Sequence, residues 1–321
     1  MNDLAAPPKK SSLKPHRSAV CAGGPAFDGQ NIHGLPVAAL QTKRRHGFRQ
    51  LANPIMAETN GGSRFEPVAW EGRSNFDALR LAAPVIPQVR HYRPDERKLE
   101  TRIGQEDRIR IEQTVRPPYS AIAHLTISYA NGRTAVGTAW FTGYRSLATA
   151  AHNVRHRDHG EAVSILVAPG FDGVRYPFGL HPAAAWHWPE SWEKRGFEAE
   201  DDYGVILLAP ENGIGQKVGA FGFGTLPDSN LQGLAVNLAG YPADYQFVGM
   251  YYHGERLVRF DKTKISYTID TSEGMSGSPV YGIYGDHDRV AIGIHTTGAD
   301  AENSGRRIDA TVYDFLFRLR L

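Results

Sequence analysis

The residues best equipped for chemistry are a serine, a histidine and an aspartate, each in a telling context. Ser276 lies in Gly274-Met275-Ser276-Gly277-Ser278-Pro279, where flanking glycines let the backbone turn sharply and leave the hydroxyl exposed. A serine hydroxyl is a poor nucleophile until a base within hydrogen-bond reach takes its proton. That base in turn needs a partner that fixes its tautomer. His152 closes the run Leu147-Ala148-Thr149-Ala150-Ala151-His152, and a buried strand ending in small residues can present an imidazole at a cleft edge. Asp202 opens the apolar run Tyr203-Gly204-Val205-Ile206-Leu207-Leu208, and a carboxylate at the mouth of a buried strand suits the role of orienting that imidazole. Asp201 is the alternative carboxylate. The small neighbours of Ser276 also allow the N–H groups of Gly274 and Ser276 to converge as an oxyanion hole. Each feature has an ordinary reading: a tight turn before a strand, a strand-end cap, one of 13 histidines. Acyl transfer requires that all three agree in role and order. His156, His159, His181 and His187 lie in polar sequence and read as solvated.

The elements that must position these residues are strands. From about residue 101 the chain is a series of short β-branched, aromatic and aliphatic runs bounded by Gly, Pro, Asn and Asp: 121–128, 135–141, 163–167, 203–208, 234–238, 247–252, 256–260, 279–284 and 290–295. Many short strands at turn-punctuated spacing predict a barrel or sandwich, not alternating β-α units. One helix is predicted at the C-terminus, with Asp309 as cap and Val312, Phe315, Leu316 and Leu319 on one face.

The order His, Asp, Ser and the flanking motifs resemble the chymotrypsin-fold peptidases, and within them the bacterial glutamyl endopeptidase (V8-like) group. Ile103-Gly104-Gln105-Glu106-Asp107-Arg108 resembles the start of the mature enzymes, and Tyr119-Ser120-Ala121-Ile122 their first strand. Gly240-Tyr241-Pro242 and Ile292-Gly293-Ile294-His295 also resemble stretches of that group. One departure is Asn153, where many relatives carry Cys right after the histidine. The resemblance implies an all-β, chymotrypsin-like double six-stranded β-barrel with a C-terminal helix. It implies a serine endopeptidase acting on protein or peptide substrates through Ser276, His152 and Asp202. It also implies that Thr271 and His295 meet an acidic substrate side chain. Asp270, six residues before Ser276, stands where trypsin-like enzymes anchor Arg or Lys, so acidic and basic preferences both stay open. An inactive binding or effector module on the same fold is the alternative reading, and an esterase a third.

Composition bounds the rest. Of 321 residues 41% are hydrophobic, enough for a sizeable core. Residues 1–100 carry a net charge of +6 and 10 of the 20 prolines, whereas residues 101–321 carry −4. A basic, proline-rich leader or propeptide, 1–100, expected to be poorly ordered, thus precedes a peptidase domain, 101–321. The lone cysteine, Cys21, permits no intrachain disulfide. No apolar run of signal-peptide length occurs in the first thirty residues, and none reaches the roughly 18 residues of a membrane span. Relatives are usually exported, and the sequence does not choose a compartment. With no His-Glu-x-x-His, no Cys pair and no glycine-rich phosphate loop, no metal, cofactor or nucleic-acid partner is expected, Lys43-Arg44-Arg45 being a short basic run. A monomer is expected.

Overall fold

A computed structural model describes residue 103 and residues 106–242, 249–284, 288–298 and 301–321. The leader expected over 1–100 lies outside the described residues.

After the short strand β1 (Ile109–Arg110) come β2 (Ile122–Tyr129), β3 (Thr134–Phe141), β4 (Ser146–Thr149), β5 (Arg155–His156), β6 (Gly160–Pro169), β7 (His181–His187) and β8 (Gly204–Leu208). Six of these form a ring in the order β2-β3-β4-β8-β7-β6, closed by pairing of β2 with β6; β5 extends from β6. The second half contains β9 (Gly222–Phe223), β10 (Ala235–Gly240), β11 (Tyr251–Phe260), β12 (Lys264–Tyr267), β13 (Pro279–Tyr284), β14 (Asp288–Gly298) and β15 (Asn303–Arg307). Its ring runs β11-β10-β13-β14-β15-β12 and closes between β11 and β12; β1 pairs with β11, and β9 lies parallel to β14. Two closed six-stranded antiparallel barrels leave no open edge in either ring. Short helices α1 (Ala151–Val154), α2 (Glu190–Lys194), α3 (Ile214–Val218) and α4 (Asp228–Leu231) lie in the connections, and α5 (Ala310–Arg318) follows the last strand.

The local sequence explains much of this. In β2, Leu125, Ile127 and Tyr129 are buried while Thr126 and Ser128 are half-buried, the period of two that a strand imposes. β8 is buried throughout, which suits its uninterrupted apolar run. Helix α5 starts as predicted: the Asp309 carboxylate accepts the Val312 N–H at 3.0 Å, a cap worth about 1 kcal/mol. Its buried Val312, Phe315 and Leu316 join the core of the first barrel, where the Phe315 ring meets Tyr203 edge-on. The interior of the second barrel holds Leu234, Val236, Leu238, Ile265, Tyr267, Met275, Val280 and Ile292.

Three expectations change. The separate strands expected over 247–252 and 256–260 are a single ten-residue strand, β11, beginning at Tyr251; residues 247–248 lie outside the described residues. The strand β15, Asn-Ser-Gly-Arg-Arg, carries no hydrophobic signal, yet it is buried throughout. Its polar groups are satisfied: the Arg306 guanidinium donates to the carbonyls of Glu200, Thr263 and Arg307 and to the Asp309 carboxylate. His187 and His156 are not solvated loop residues. His187 is buried in β7, half-buried His181 opens the same strand, and half-buried His156 stacks on half-buried His159 at 4.4 Å. Among the described residues no helix is long and apolar enough to cross a membrane.

Candidate active site

The base candidate sits on the shortest possible platform. Strand β4 ends at Thr149, and after Ala150 the four-residue helix α1 carries His152. Asp202 follows a 3₁₀ turn over Ala199–Asp201 and lies two residues before the start of β8, which pairs with β4 through Thr149 and Gly204. That pairing brings the two residues together. His152 Nδ1 lies 2.7 Å from Asp202 Oδ2, and the backbone N–H of His152 donates to Asp202 Oδ1 at 3.0 Å. The aspartate is buried, whereas the His152 side chain keeps 19% exposure toward the cleft. Asp201, the alternative carboxylate, turns elsewhere: it accepts from Ser191 Oγ at 2.7 Å and lies 3.4 Å from the Arg195 guanidinium.

Ser276 belongs to the second barrel, in the turn before β13. Gly274 and Gly277 both have φ of +92°, a conformation that favours glycine. A side chain at Gly277 would also strike the Thr138 carbonyl and the Thr149 hydroxyl. The turn is held from several directions. Ser276 O accepts the N–H of Thr138 at 2.9 Å and of Asn153 Nδ2 at 2.9 Å. The Thr138 hydroxyl donates to Gly274 O at 2.8 Å, and Met275 N–H reaches back to Ser272 O at 3.1 Å. Gly277 N–H donates to His295 O at 2.7 Å, and His295 N–H to Ser278 O at 2.9 Å. Ser278 itself is fully buried against Gly240.

The pocket candidates differ in surroundings. Thr271 is fully buried, and its Oγ1 has no hydrogen-bond partner among the described residues. His295 is also fully buried, with its Nδ1 2.7 Å from the Tyr267 hydroxyl. Asp270 is engaged by backbone: its Oδ1 accepts the Ile103 N–H at 2.6 Å and its Oδ2 the Asp107 N–H at 3.1 Å. Its own N–H donates to His253 Nδ1 at 3.0 Å, and burial holds that imidazole below its ordinary pKa. Arg108 braces the same loop through Ser272 Oγ at 3.1 Å while forking onto Glu106. Sequence reading missed Thr138, Asn153, Tyr267 and Arg108. Asn153 carried a signal, as a departure from its relatives next to the base, and Arg108 lay in a stretch read only as resembling a mature enzyme start.

The chain is 35% identical over 214 residues to a protein named Extracellular metalloprotease from Bacillus subtilis, covering 66% of this chain and 67% of that protein. It is 32% identical over 222 residues to a Glutamyl endopeptidase from Bacillus licheniformis, covering 67% of each. The chain belongs to the glutamyl endopeptidase family of serine proteases. A solved Glu endopeptidase structure superposes with a TM-score of 0.59 at 23% identity, over 67% of this chain and 97% of that one, which matches the chymotrypsin-like fold. No protein-family model matches the chain. As a family member it is a serine endopeptidase, a hydrolase of peptide bonds. Among the described residues there is no group of three or more His, Cys, Asp or Glu that could hold a metal ion.

Proposed function

We propose that this glutamyl endopeptidase family member cuts peptide bonds with Ser276 as nucleophile, His152 as base and Asp202 as its orienting partner. The observation that carries the reading is the pair of hydrogen bonds from His152 to Asp202, through ring and backbone together. With Nδ1–H given to Asp202, the other ring nitrogen, Nε2, is the acceptor. It takes the Ser276 proton as Oγ attacks the substrate carbonyl. The N–H groups of Gly274 and Ser276 receive the oxyanion, each donor contributing about 2.7–4 kcal/mol to the barrier reduction. His152 then returns the proton to the leaving amine, and water releases the acyl group by the same route. Fluorophosphonate labelling tests the assignment. The adduct is expected on Ser276 and absent from Ser276→Ala, whereas Ser278→Ala still labels; an adduct on Ser278 would refute it.

On the acyl side of the cut, the reading is a preference for glutamate. His295 Nδ1 lies 2.7 Å from the Tyr267 hydroxyl, and in this reading that hydroxyl is the donor, so that His295 carries its proton on Nε2 and offers it, with the Thr271 hydroxyl, to a carboxylate. Asp270 supports this side of the choice, because both its oxygens face the chain's own backbone, accepting the N–H groups of Ile103 and Asp107. Residues 1–100 are proposed to be a leader removed before or during activation.

A further inference from the structure

We propose that Asn153 is a positioning residue for the serine chemistry, its carboxamide tying the base's helix to the nucleophile's carbonyl inside a space that Gly137 leaves open. The inference rests on the assignment of His152 and Ser276 above. Asn153 is next in sequence to His152 and is buried. Its Nδ2 donates to Thr149 Oγ1 at 2.9 Å and to Ser276 O at 2.9 Å. The orientation of the amide is dictated by its partners. The single hydroxyl proton of Thr149 goes to Thr138 O at 2.8 Å, and a carbonyl oxygen can only accept. A group that faces both must donate twice, which the NH₂ does and the amide oxygen cannot.

This amide crosses between the barrels, since Thr149 and His152 belong to the first and Ser276 to the second. Ser276 O has two acceptor positions. One holds the Thr138 backbone N–H, and the other holds Asn153. The peptide plane that carries the nucleophile is therefore fixed by one main-chain bond and by the side chain adjoining the base. Room for this arrangement comes from an absent side chain. A Cβ at Gly137 would lie 2.7 Å from Asn153 Nδ2 and 2.8 Å from its Cγ and Oδ1. The carboxamide is short, buried and tied at Nδ2 to both partners. A misplacement of about 1 Å at such a site costs up to about 100-fold in rate.

The test compares kcat, KM and the fluorophosphonate labelling rate of Ser276, well below each variant's unfolding midpoint. Asn153→Ala is expected to lower kcat and labelling about 10- to 100-fold with KM within about twofold. Asn153→Asp, which sets an acceptor against Ser276 O, is expected to be worse. Gly137→Ala should reproduce the kcat loss in the wild-type background and add nothing to Asn153→Ala, because the atoms it would strike are gone. Should Asn153→Ala fail to fold, Gly137→Ala, which removes no bonding group, carries the test. Unchanged kcat with only a lower midpoint, or a Gly137→Ala penalty equal in both backgrounds, would overturn the role of Asn153. Wild-type protein that does not label at Ser276 would instead overturn the assignment beneath it.

Discussion

Asp202 grips His152 at two points, the imidazole Nδ1 at 2.7 Å and the backbone N–H at 3.0 Å. One carboxylate thereby sets both the ring's tautomer and the place of the α1 backbone that carries it. Arg306 extends the support from the second barrel, donating to Glu200 O in the turn that leads to Asp202.

The first prediction concerns that grip. Asp202→Asn keeps one acceptor but presents an NH₂ to one of the two His152 donors, so turnover should fall by several orders of magnitude, about 10⁴-fold where an equivalent tautomer is lost. Asp201→Asn, which disturbs only Ser191 and Arg195, should stay within about tenfold. Steady-state kinetics on one peptide substrate decides it; a larger loss for Asp201→Asn would reverse the assignment.

Specificity should depend on a hydroxyl that no substrate touches. Tyr267→Phe removes the group facing His295 Nδ1 and is expected to lower kcat/KM for Glu by about tenfold, the worth of about one buried hydrogen bond, with less effect on residual cleavage after apolar residues. His295→Ala should do the same more strongly. Asp270→Asn should weaken cleavage at every residue alike, because it loosens the loop bonded to Ile103 and Asp107. Peptide-library profiling reads all three, and wild-type cleavage chiefly after Arg or Lys would sink the acidic pocket.

Stability should fall in acid through a buried imidazole. His124 is packed between Phe171 and Tyr241, and burial depresses its pKa to about 4. The unfolded chain titrates near 6.5, so from there down to about 4 the unfolded state binds the extra proton and stability drops as pH falls. The contribution is intact above about pH 6.5 and amounts to about 3 kcal/mol when fully lost. Half-buried His156, depressed to about 4 by burial and then by the neighbouring His152 and His159, titrates in the same window. Urea midpoints against pH should show a shallower slope for His124→Gln between pH 6.5 and 4; parallel wild-type and variant curves would contradict a neutral His124.

The leader gives the last prediction. The shift from net +6 to net −4 near residue 100 places the expected cut before the segment whose Ile103 N–H meets Asp270. Active protein should begin near Thr101–Ile103, and Ser276→Ala protein made alone should keep its leader. N-terminal sequencing checks both, and fully active protein that retains residues 1–100 would rule out obligatory removal.

The sequence by itself carried the family and the two-barrel fold through resemblance, and through its own pattern a strand-rich domain, the C-terminal helix and three candidates for acyl transfer. These are written in local signals: a glycine-flanked serine, small residues before a histidine, an acid before an apolar strand, an aspartate before an amphipathic turn. It ranked Asp202 over Asp201 only through resemblance, because adjacent carboxylates have the same chemistry; in the fold the β4–β8 pairing brings Asp202 to His152. Nor could it tell whether Asp270 faces a substrate cation or the chain's own backbone, a matter of where residues 103–107 run, more than 160 positions away. Strand β15 was hidden for a related reason. Its buried arginines are tolerable only because carbonyls from distant segments satisfy them, and composition carries no trace of such partners. Asn153 makes the same point within the site. Beside the histidine it reads only as a departure from relatives with Cys there, until the fold brings Thr149, Ser276 and the missing side chain of Gly137 around it.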